Sequence, residues 1–261
     1  MIAAQRRALI LEQVRAHGGA SINELAAGIG VSLSTVRRDL DYLTEEGYLV
    51  RSHGGALLAE PQRSTFEPRR EIGAHLAHAA KVAIGKRAAE LLEDGQSVIF
   101  DSSSTVLEAA RAAVARRLSL TACTNDIGTA AVLAQAEQIH TVVLGGTIRP
   151  GSLTLTGEPG PSFLGRLHAD VTLLGIHSLA HGRLSETSLE VAAIKRRMVE
   201  SSGRVIVLAD SSKFQFQAFC DVCPIQRVHA VVTDDGLLPA LRQELADMGT
   251  EVILAPLAGA A

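Results

Sequence analysis

SINELAAGIGVSLSTVRRDL, residues 21–40, predicts two short helices joined by a tight turn. Ser21 and Glu24 stand at the spacing of a capping box, so a first helix is expected over Ile22 to Ala27. Two nearby glycines can supply the positive φ of a turn, and Ser32 can then cap a second helix. This order of cap, turn and second helix is typical of a helix-turn-helix.

The second helix, expected to run to about Glu46, has an apolar and a polar side. Val36, Leu40 and Leu43 recur at helical spacing and should face a core. The polar side presents arginines, which can read guanine in the major groove, and hydroxyls suited to phosphates. After Gly47, two short strands predict a wing that reaches the DNA backbone or the minor groove. The expected DNA-binding residues are Ser32, Ser34, Thr35, Arg37, Arg38, Tyr42, Arg51 and His53.

The net charge of residues 1–60 argues mildly against DNA binding. Residues 1–60 contain six arginines and seven acidic residues, and the whole chain has a formal net charge of −3. DNA-binding domains usually carry a basic excess. An ordinary helical hairpin with a solvated arginine face is therefore the alternative interpretation. The caps, the turn, the paired arginines and the wing in this order favour DNA binding.

Composition narrows the remaining classes. A chain of 261 residues can hold one small domain and one larger core. No run approaches the roughly 20 apolar residues of a membrane span, and the sequence lacks the pattern of a signal peptide, so a cytoplasmic protein is expected. The three cysteines do not suggest a disulfide framework. Cys220 and Cys223 form a C-x-x-C, for which a redox or metal role stays open, but no metal or cofactor is expected.

Seven short apolar runs alternate with helical patterns from residue 97 onward. Such runs predict a mostly parallel sheet covered on both faces. They are residues 97–100, 118–123, 141–144, 171–174, 204–209, 230–233 and 251–254.

The stretch before these runs predicts a connector and a helix. Prolines at 61 and 68 are typical of a linker. A helix is expected from Arg69 or later to Leu92, with Lys81, Lys86 and Arg87 exposed. The expected domains are therefore residues 1–60, a connector at 61–74 and an α/β domain at 75–261.

Polar residues follow the expected strands at the edge where parallel sheets bind ligands. Ser102 to Thr105 begin a helix expected at 106–115, and a helix N-terminus with free N–H groups favours an anion. Lys195 and Lys213 can neutralise its charge. The alternatives are helix capping for the serines, a solvated helix position for Lys195 and a surface ion pair for Lys213.

The chain resembles the DeoR family of bacterial repressors of sugar catabolism over nearly its whole length. The matching residues are Arg6, Arg7, VSLSTVRRDL (31–40), Leu43, Gly47, RSHGGA (51–56), DSSST (101–105), TND (124–126), LGGTIRPGSL (144–153), DVTLLG (170–175), EVAAIKRRM (190–198) and ADSSKF (209–214). The resemblance implies a winged helix-turn-helix followed by a sensor domain similar in fold to ribose-5-phosphate isomerase and coenzyme A transferases. It also implies an effector that is a phosphorylated sugar or a related intermediate.

The resemblance, together with the strand ends, gives the expected effector site. Its residues are Asp101, Ser102, Ser103, Ser104, Thr105, Thr124, Asn125, Gly145, Gly146, His177, Lys195, Asp210 and Lys213. Two positions depart from the family pattern. Ser103 stands at a usual glycine, and His177 with Ser178 stands where Asp or Asn before Gly is common. The first departure can reshape the phosphate cradle, and the second can change which sugar hydroxyls are recognised.

Three functions are compatible with this sequence. A repressor of a carbohydrate operon, as a homodimer or homotetramer on operator DNA, needs only an effector that binds two conformations unequally. A sugar-phosphate isomerase-like enzyme also needs a base and an acid, for which Glu186 or Glu190 with Lys195 are the candidates. Glu190 and Lys195 are five positions apart on one helix and do not face each other, which favours the repressor. An oligomerisation module with an empty cleft is the third.

Overall fold

The computed structural model describes residues 1–59, 64–214 and 216–257, and the chain divides into two compact units, 1–78 and 79–261. The described part of the first unit contains helices and a small antiparallel sheet in the strand order β1-β3-β2. Its elements are α1 (Ala3–His17), β1 (Gly19–Ser21), α2 (Ile22–Ile29), α3 (Leu33–Glu45), β2 (Leu49–Ser52), β3 (Gly55–Leu58) and α4 (Arg70–Gly73).

The expected helix-turn-helix and wing are confirmed as elements of this unit. The Ser21 hydroxyl accepts from the Glu24 N–H while the Glu24 carboxylate accepts from the Ser21 N–H, so the capping box is complete. Helices α2 and α3 are joined through Gly30, which has a φ of 74°. The apolar side chains of α3, Val36, Leu40 and Leu43, are fully buried. The sequence analysis did not predict α1 or β1.

The close pairing of β1 with β3 explains one glycine of the wing. A Cβ on Gly55 would lie 2.2 Å from the Ala20 carbonyl oxygen, which no side chain tolerates. Gly54 before it has a φ of 82°, in the left-handed region that favours glycine. The His-Gly-Gly sequence therefore meets a backbone requirement of the wing turn.

The helix expected from Arg69 or later to Leu92 begins late in that range and ends three residues early. The chain forms α4 and then α5 (His78–Ala89). Between them Ala77 has a φ of 50°, and its N–H donates to Glu12 Oε1 at 2.7 Å rather than to a helical carbonyl. Lys81, expected to be exposed, is buried with 6% of its surface accessible.

The expected domain boundaries differ from the compact units. Ile72 and Leu76 pack in the core of the first unit, so this part of the expected connector belongs to that unit geometrically. Residues 61–63 of the expected connector, and residue 60 before them, lie outside the described residues. The functional division of the chain at these boundaries stays a prediction.

The second unit is built on a seven-stranded sheet in the order β15-β14-β12-β9-β4-β5-β6, with every neighbouring pair parallel. Each of the seven expected runs overlaps one strand, so the predicted fold class is confirmed. The strands are β4 (Ser97–Phe100), β5 (Leu120–Thr124), β6 (Ile139–Val143), β9 (Ala169–Gly175), β12 (Ser202–Leu208), β14 (Ala230–Asp234) and β15 (Glu251–Ala255).

Helices cover this sheet. Val98, Ile99 and Phe100 on β4 are each at most 1% exposed although successive side chains point to opposite faces, so both faces are buried. Helix α6 packs on β4 and β9, and α9 packs on β9 and β12. The helices are α6 (Ser104–Ala115), α7 (Ile127–Leu133), α8 (Gly160–Leu164), α9 (Leu189–Glu200) and α10 (Pro239–Asp247), besides α5.

Two small antiparallel sheets were not predicted. One is a hairpin of β7 (Thr147–Ile148) and β8 (Leu155–Thr156), which follows β6. The other joins β10 (Ser178–Ala180), β11 (Arg183–Glu186) and β13 (Cys220–Pro224), and begins just beyond β9. Both are inserted after carboxyl ends of the main sheet. None of the described helices is long and apolar enough to cross a membrane.

Candidate functional site

The exposed side of α3 carries the arginines expected to contact DNA. Arg37 and Arg38 are both exposed, and the Arg38 Nε–H donates only a long 3.4 Å bond to the Ser34 carbonyl. The Ser32 hydroxyl accepts from the Thr35 N–H at 3.2 Å and contacts the hydroxyls of Ser34 and Thr35 at 2.9 Å each. Ser32 therefore serves as the helix cap, while the guanidinium groups remain available at the surface.

A buried ion cluster fixes α3 against α1. Asp39 is 2% exposed and accepts from the guanidinium groups of Arg6 and Arg7, the latter at 3.0 Å. The guanidinium of Arg7 also lies over the ring of Tyr42, 3.5 Å from its centroid. Tyr42 was expected to project toward DNA, but it is half-buried and one ring face is covered. Its contribution to DNA binding stays a prediction.

The wing is tied to α3 by one ion pair. Arg51 Nη2 on β2 lies 3.1 Å from Asp41 Oδ1 on α3. His53 is exposed at the turn between the two wing strands. Since Asp39 and Asp41 are both paired with arginines, Arg37 and Arg38 keep a locally basic surface despite the acidic excess of residues 1–60. The acidic excess of residues 1–60 is therefore a weaker argument against DNA binding than it was from the sequence alone.

At the carboxyl edge of the large sheet, hydrogen bonds connect the loops that follow several strands. The Ser102 N–H donates to Asn125 Oδ1 at 3.0 Å, which ties the loop after β4 to the loop after β5. The Asn125 amide also donates to the Leu155 carbonyl of the hairpin at 3.3 Å. The Gly175 N–H at the end of β9 donates to Asp101 Oδ2 at 3.0 Å. The structure therefore brings together residues that the sequence placed on separate strand ends.

Lys195 lies at the centre of this edge and is 3% exposed. Its ammonium contacts Glu186 Oε1 at 2.8 Å and Asp101 Oδ2 at 2.9 Å, and it donates to the Gly175 carbonyl at 2.7 Å. An ammonium has three N–H donors, so these acceptors use all of them. The interpretation of Lys195 as a solvated helix residue is wrong. Its place in the effector site stays a prediction, but in this arrangement it has no donor left for a ligand.

Charge and burial act in opposite directions on this cluster. Burial alone lowers the pKa of Lys195, but Asp101 and then Glu186 outweigh it, so the pKa is raised above its ordinary value and the amine stays charged. Burial raises the pKa of Asp101, and Lys195 offsets only part of that rise. Of the two glutamates considered beside Lys195, Glu186 makes the contact, whereas the Glu190 carboxylate accepts from Ser188. Glu190 is exposed.

The start of α6 is partly capped by its own loop. The Ser103 hydroxyl accepts from the Thr105 N–H at 3.2 Å. The Ser103 Cβ lies only 2.2 Å from where a Cβ on Gly175 would be, so glycine at 175 makes room for serine at 103. Thr105 is buried, whereas Ser104 is half-buried and its hydroxyl bonds to none of the described residues. The Ser103 hydroxyl, which the glycine usual in the family would lack, therefore occupies the Thr105 N–H, one of the donors of the expected phosphate cradle.

The loops farther along the edge place the remaining expected residues. The His177 N–H donates to Glu186 Oε1 at 3.1 Å, and its ring packs edge-on against Phe216. The Ser178 hydroxyl donates to the Phe216 carbonyl. Asp210 caps the turn that follows β12, and Lys213, half-buried, makes no ion pair with any described residue. Lys213 is therefore the expected cation that remains available for an anion.

The glycines after β6 have a steric role. A Cβ on Gly146 would lie 2.6 Å from the Thr156 carbonyl oxygen, and a Cβ on Gly145 would lie 2.7 Å from Pro159. Thr124 is fully buried and its hydroxyl accepts from the Asp126 N–H at 3.1 Å. These residues shape the edge by packing. Their contact with an effector stays a prediction.

The C-x-x-C lies on β13 and shows no feature of a reactive pair. Burial raises the pKa of Cys220, and it raises that of Cys223 to about 11, which disfavours the thiolate. The Cys220 thiol donates to the Glu186 carbonyl at 3.2 Å. Among the described residues, no group of three or more His, Cys, Asp or Glu side chains is placed to hold a metal ion.

A winged helix-turn-helix combined with a parallel α/β unit that gathers polar loops at one sheet edge is the architecture of a ligand-sensing transcriptional regulator. Two family models match the chain: the DeoR-like helix-turn-helix domain over residues 6–62 and the DeoR C terminal sensor domain over residues 76–235. The chain belongs to the DeoR family of DNA-binding transcriptional regulators.

Three relatives match over nearly their whole length. The chain is 34% identical to the putative aga operon transcriptional repressor of Escherichia coli O157:H7, over 96% of this chain and 93% of the relative. It is 32% identical to the HTH-type transcriptional regulator GlpR of Haloferax volcanii, over 97% of this chain and 98% of the relative. It is 31% identical to the glycerol-3-phosphate regulon repressor of Escherichia coli K12, over 93% of this chain and 95% of the relative.

Solved structures show partial likeness of fold. Ribose 5-phosphate isomerase A from Methanocaldococcus jannaschii matches 52% of this chain and 53% of that chain, with 17% identity and a TM-score of 0.39. The translation initiation factor eIF-2B from Pyrococcus horikoshii OT3 matches 88% of this chain and 87% of that chain, with 13% identity and a TM-score of 0.47.

Proposed function

We propose that this protein represses a carbohydrate-catabolic operon and that a phosphorylated sugar at the carboxyl edge of the large sheet changes its affinity for operator DNA. The observation that carries the proposal is the hydrogen-bonded meeting of three strand-end loops through Ser102–Asn125 and Asp101–Gly175 beside the start of α6. A helix start and an available Lys213 suit an anion. The similarity to a putative aga operon transcriptional repressor and to a glycerol-3-phosphate regulon repressor supports the carbohydrate class.

The proposed division of labour follows the two domains expected from the sequence. Residues 1–60 bind DNA through Arg37, Arg38 and the wing, and residues 75–261 bind the effector and hold a homodimer or homotetramer together. Two DNA-binding domains at a fixed spacing then match two half-sites. Because the proposed partner is operator DNA, the proposed location of the protein is the cytoplasm.

Catalysis is not part of the proposal. A sugar-phosphate isomerase needs a base and an acid that reach the substrate. The Lys195 ammonium donates its three N–H groups to Asp101, Glu186 and the Gly175 carbonyl, and this argues against a proton-transfer role. Incubation of the protein with hexose and pentose phosphates, followed by chromatography, is expected to show no turnover.

The decisive experiment measures DNA affinity with and without ligand. DNA that binds the full chain is selected from a random library, labelled, and titrated by fluorescence anisotropy at fixed salt, because protein–DNA affinity depends steeply on salt. Phosphorylated sugars are then added beside the same sugars without phosphate. We expect at least one phosphorylated sugar, and none of the free sugars, to change the Kd by about 5- to 150-fold. Unchanged affinity across the panel, or an equal response to a free sugar, contradicts the proposal.

A further inference from the structure

The carboxylate of Asp101 has one oxygen that the protein does not satisfy. Asp101 is fully buried, and its Oδ1 has no hydrogen-bond partner among the described residues. Its Oδ2 is held from two sides, by the Gly175 N–H at 3.0 Å and by Lys195 at 2.9 Å. The carboxylate is therefore fixed in orientation while half of its acceptor capacity is unused.

This oxygen differs from the other unsatisfied atoms of the structure. Among the described residues, the remaining buried side-chain oxygens without partners are the hydroxyls of Thr141 and Thr233. A hydroxyl is neutral, whereas an unpaired carboxylate oxygen is far more costly to remove from water. Buried polar groups are nearly always satisfied, so an exception at a ligand-binding edge calls for a partner from outside the chain.

Among the described residues, no donor makes a hydrogen bond to that oxygen. Lys195 donates to Asp101 Oδ2, Glu186 and the Gly175 carbonyl, and the Ser102 N–H donates to Asn125. The two carboxylates of Asp101 and Glu186 face a single ammonium, so the cluster lacks positive charge. A ligand that offers a hydrogen-bond donor satisfies Oδ1. An unprotonated anionic oxygen placed there is repelled.

We propose that Asp101 Oδ1 accepts a hydrogen bond from a hydroxyl of the bound sugar phosphate, so that the site requires a hydroxyl beside the anion as well as the anion itself. This inference rests on the proposed function and specifies its ligand. The phosphate lies at the start of α6, and the hydroxyl on the sugar satisfies Asp101. The ligand class is therefore a polyhydroxylated phosphate ester, and inorganic phosphate is only a partial ligand.

The test compares the full-length parent with Asp101→Asn, which keeps a carbonyl oxygen for Lys195 and Gly175 but replaces Oδ1 by an NH₂ donor. Thermal shift is measured without ligand and with hexose 6-phosphates, pentose 5-phosphates, glycerol 3-phosphate and inorganic phosphate. Without ligand we expect the Tm of Asp101→Asn to rise by about 2–4 °C, because one buried negative charge is removed. For the sugar phosphate that stabilises the parent, we expect affinity to fall by about tenfold or more.

Asp170→Asn is the matched control, since Asp170 is exposed at the opposite end of β9 and accepts from Ser97. It is expected to keep the parent's ligand shift. If Asp101→Asn is less stable than the parent without ligand, or responds equally to the sugar phosphate, this inference is wrong while the proposed function stands. If inorganic phosphate alone reproduces the dependence on Asp101, the donor is a protonated phosphate oxygen and the hydroxyl assignment is overturned. If no phosphate ester stabilises the parent, the proposed function and this inference both fail.

Discussion

Lys195 on α9 pairs with Glu186, which lies on β11 outside that helix, at a distance of 2.8 Å. The same ammonium reaches Asp101 at the end of β4, so one side chain joins three elements of the sensor unit. Removing the shared cation of this buried cluster leaves two uncompensated carboxylates, which is more costly than the loss of the ion pairs themselves.

Lys195→Met is therefore expected to lower the free energy of unfolding of the sensor unit by about 3–5 kcal/mol, because two buried carboxylates lose their shared cation. Urea denaturation of the full chain measures this. Lys86→Met on α5 is the control, since Lys86 is exposed and should change stability by about 0.5 kcal/mol or less. A loss below about 1 kcal/mol for Lys195→Met contradicts the assigned role of the cluster.

Asp39→Ala is expected to destabilise the first unit by about 1–3 kcal/mol, since Arg6 and Arg7 lose their common acceptor. DNA affinity should fall with it, because these contacts hold α3 against α1. Asp41→Ala on the same helix is the control, as its ion pair with Arg51 is exposed and should contribute little to stability. Equal unfolding midpoints for the two variants would show that the buried position of Asp39 does not matter.

Arg38→Ala is expected to lower affinity for selected DNA by about 1–3 kcal/mol while affecting random DNA less, because an exposed arginine on α3 can read guanine. Arg51→Ala on the wing should weaken both DNAs to a similar extent. Anisotropy titrations at one salt concentration measure the four affinities. Equal losses on selected and random DNA for Arg38→Ala contradict base reading by this residue.

Ser103→Gly is expected to tighten sugar-phosphate binding, because it frees the Thr105 N–H that the Ser103 hydroxyl now occupies. One such hydrogen bond corresponds to about a 2- to 10-fold lower Kd. Ser103→Ala frees the same N–H but keeps the Cβ against Gly175. It therefore distinguishes the effect of the freed Thr105 N–H from the effect of removing the Cβ. Calorimetry with the responsive sugar phosphate measures both. Unchanged or weaker binding in both variants refutes competition by the serine.

The stability gain of Asp101→Asn should depend on pH. Burial raises the pKa of Asp101 above its ordinary value of 3.8, while Lys195 lowers it and Glu186 raises it further. The folded state therefore holds the proton to higher pH than the unfolded state, and ionisation costs stability as pH rises from 3.8 through the folded pKa. The difference in Tm between variant and parent should be larger at pH 7.5 than at pH 4.5. An equal difference at both values contradicts a raised pKa.

Local sequence signals were enough for the main elements. The Ser21–Glu24 box, the apolar spacing of α3 and the seven strand runs all depend on residues near one another in the chain, and each was recovered. The glycines before and within the wing were recovered for the same reason. These features fix the two-unit architecture without any knowledge of distant contacts.

Contacts distant along the chain were the ones that sequence reasoning missed. The ion pair of Glu186 with Lys195 was not predicted, and Glu186 was considered only as a catalytic candidate. Helical spacing could exclude Glu190 as a partner, but it says nothing about Glu186, which lies on β11. The break at Ala77 depends on Glu12, which is 65 positions earlier in the chain. Strands of two residues, such as β7, are too short to have a pattern. The contact of Arg7 with the ring of Tyr42 was missed because α1, which supplies Arg7, was not predicted.

The topology of the sheet also sets when the sensor site can form. Asp101 and Gly175 are bonded across 74 positions of sequence, and the bond requires β9 to be inserted beside β4. Closing such a long loop is slow, so this pairing is expected late in folding. A chain with its central strands unpaired has no Asp101–Lys195 cluster. Under the proposed function, a sugar phosphate bound at this cluster is therefore expected to stabilise only finished molecules, and in a cell to protect them from degradation when it is abundant.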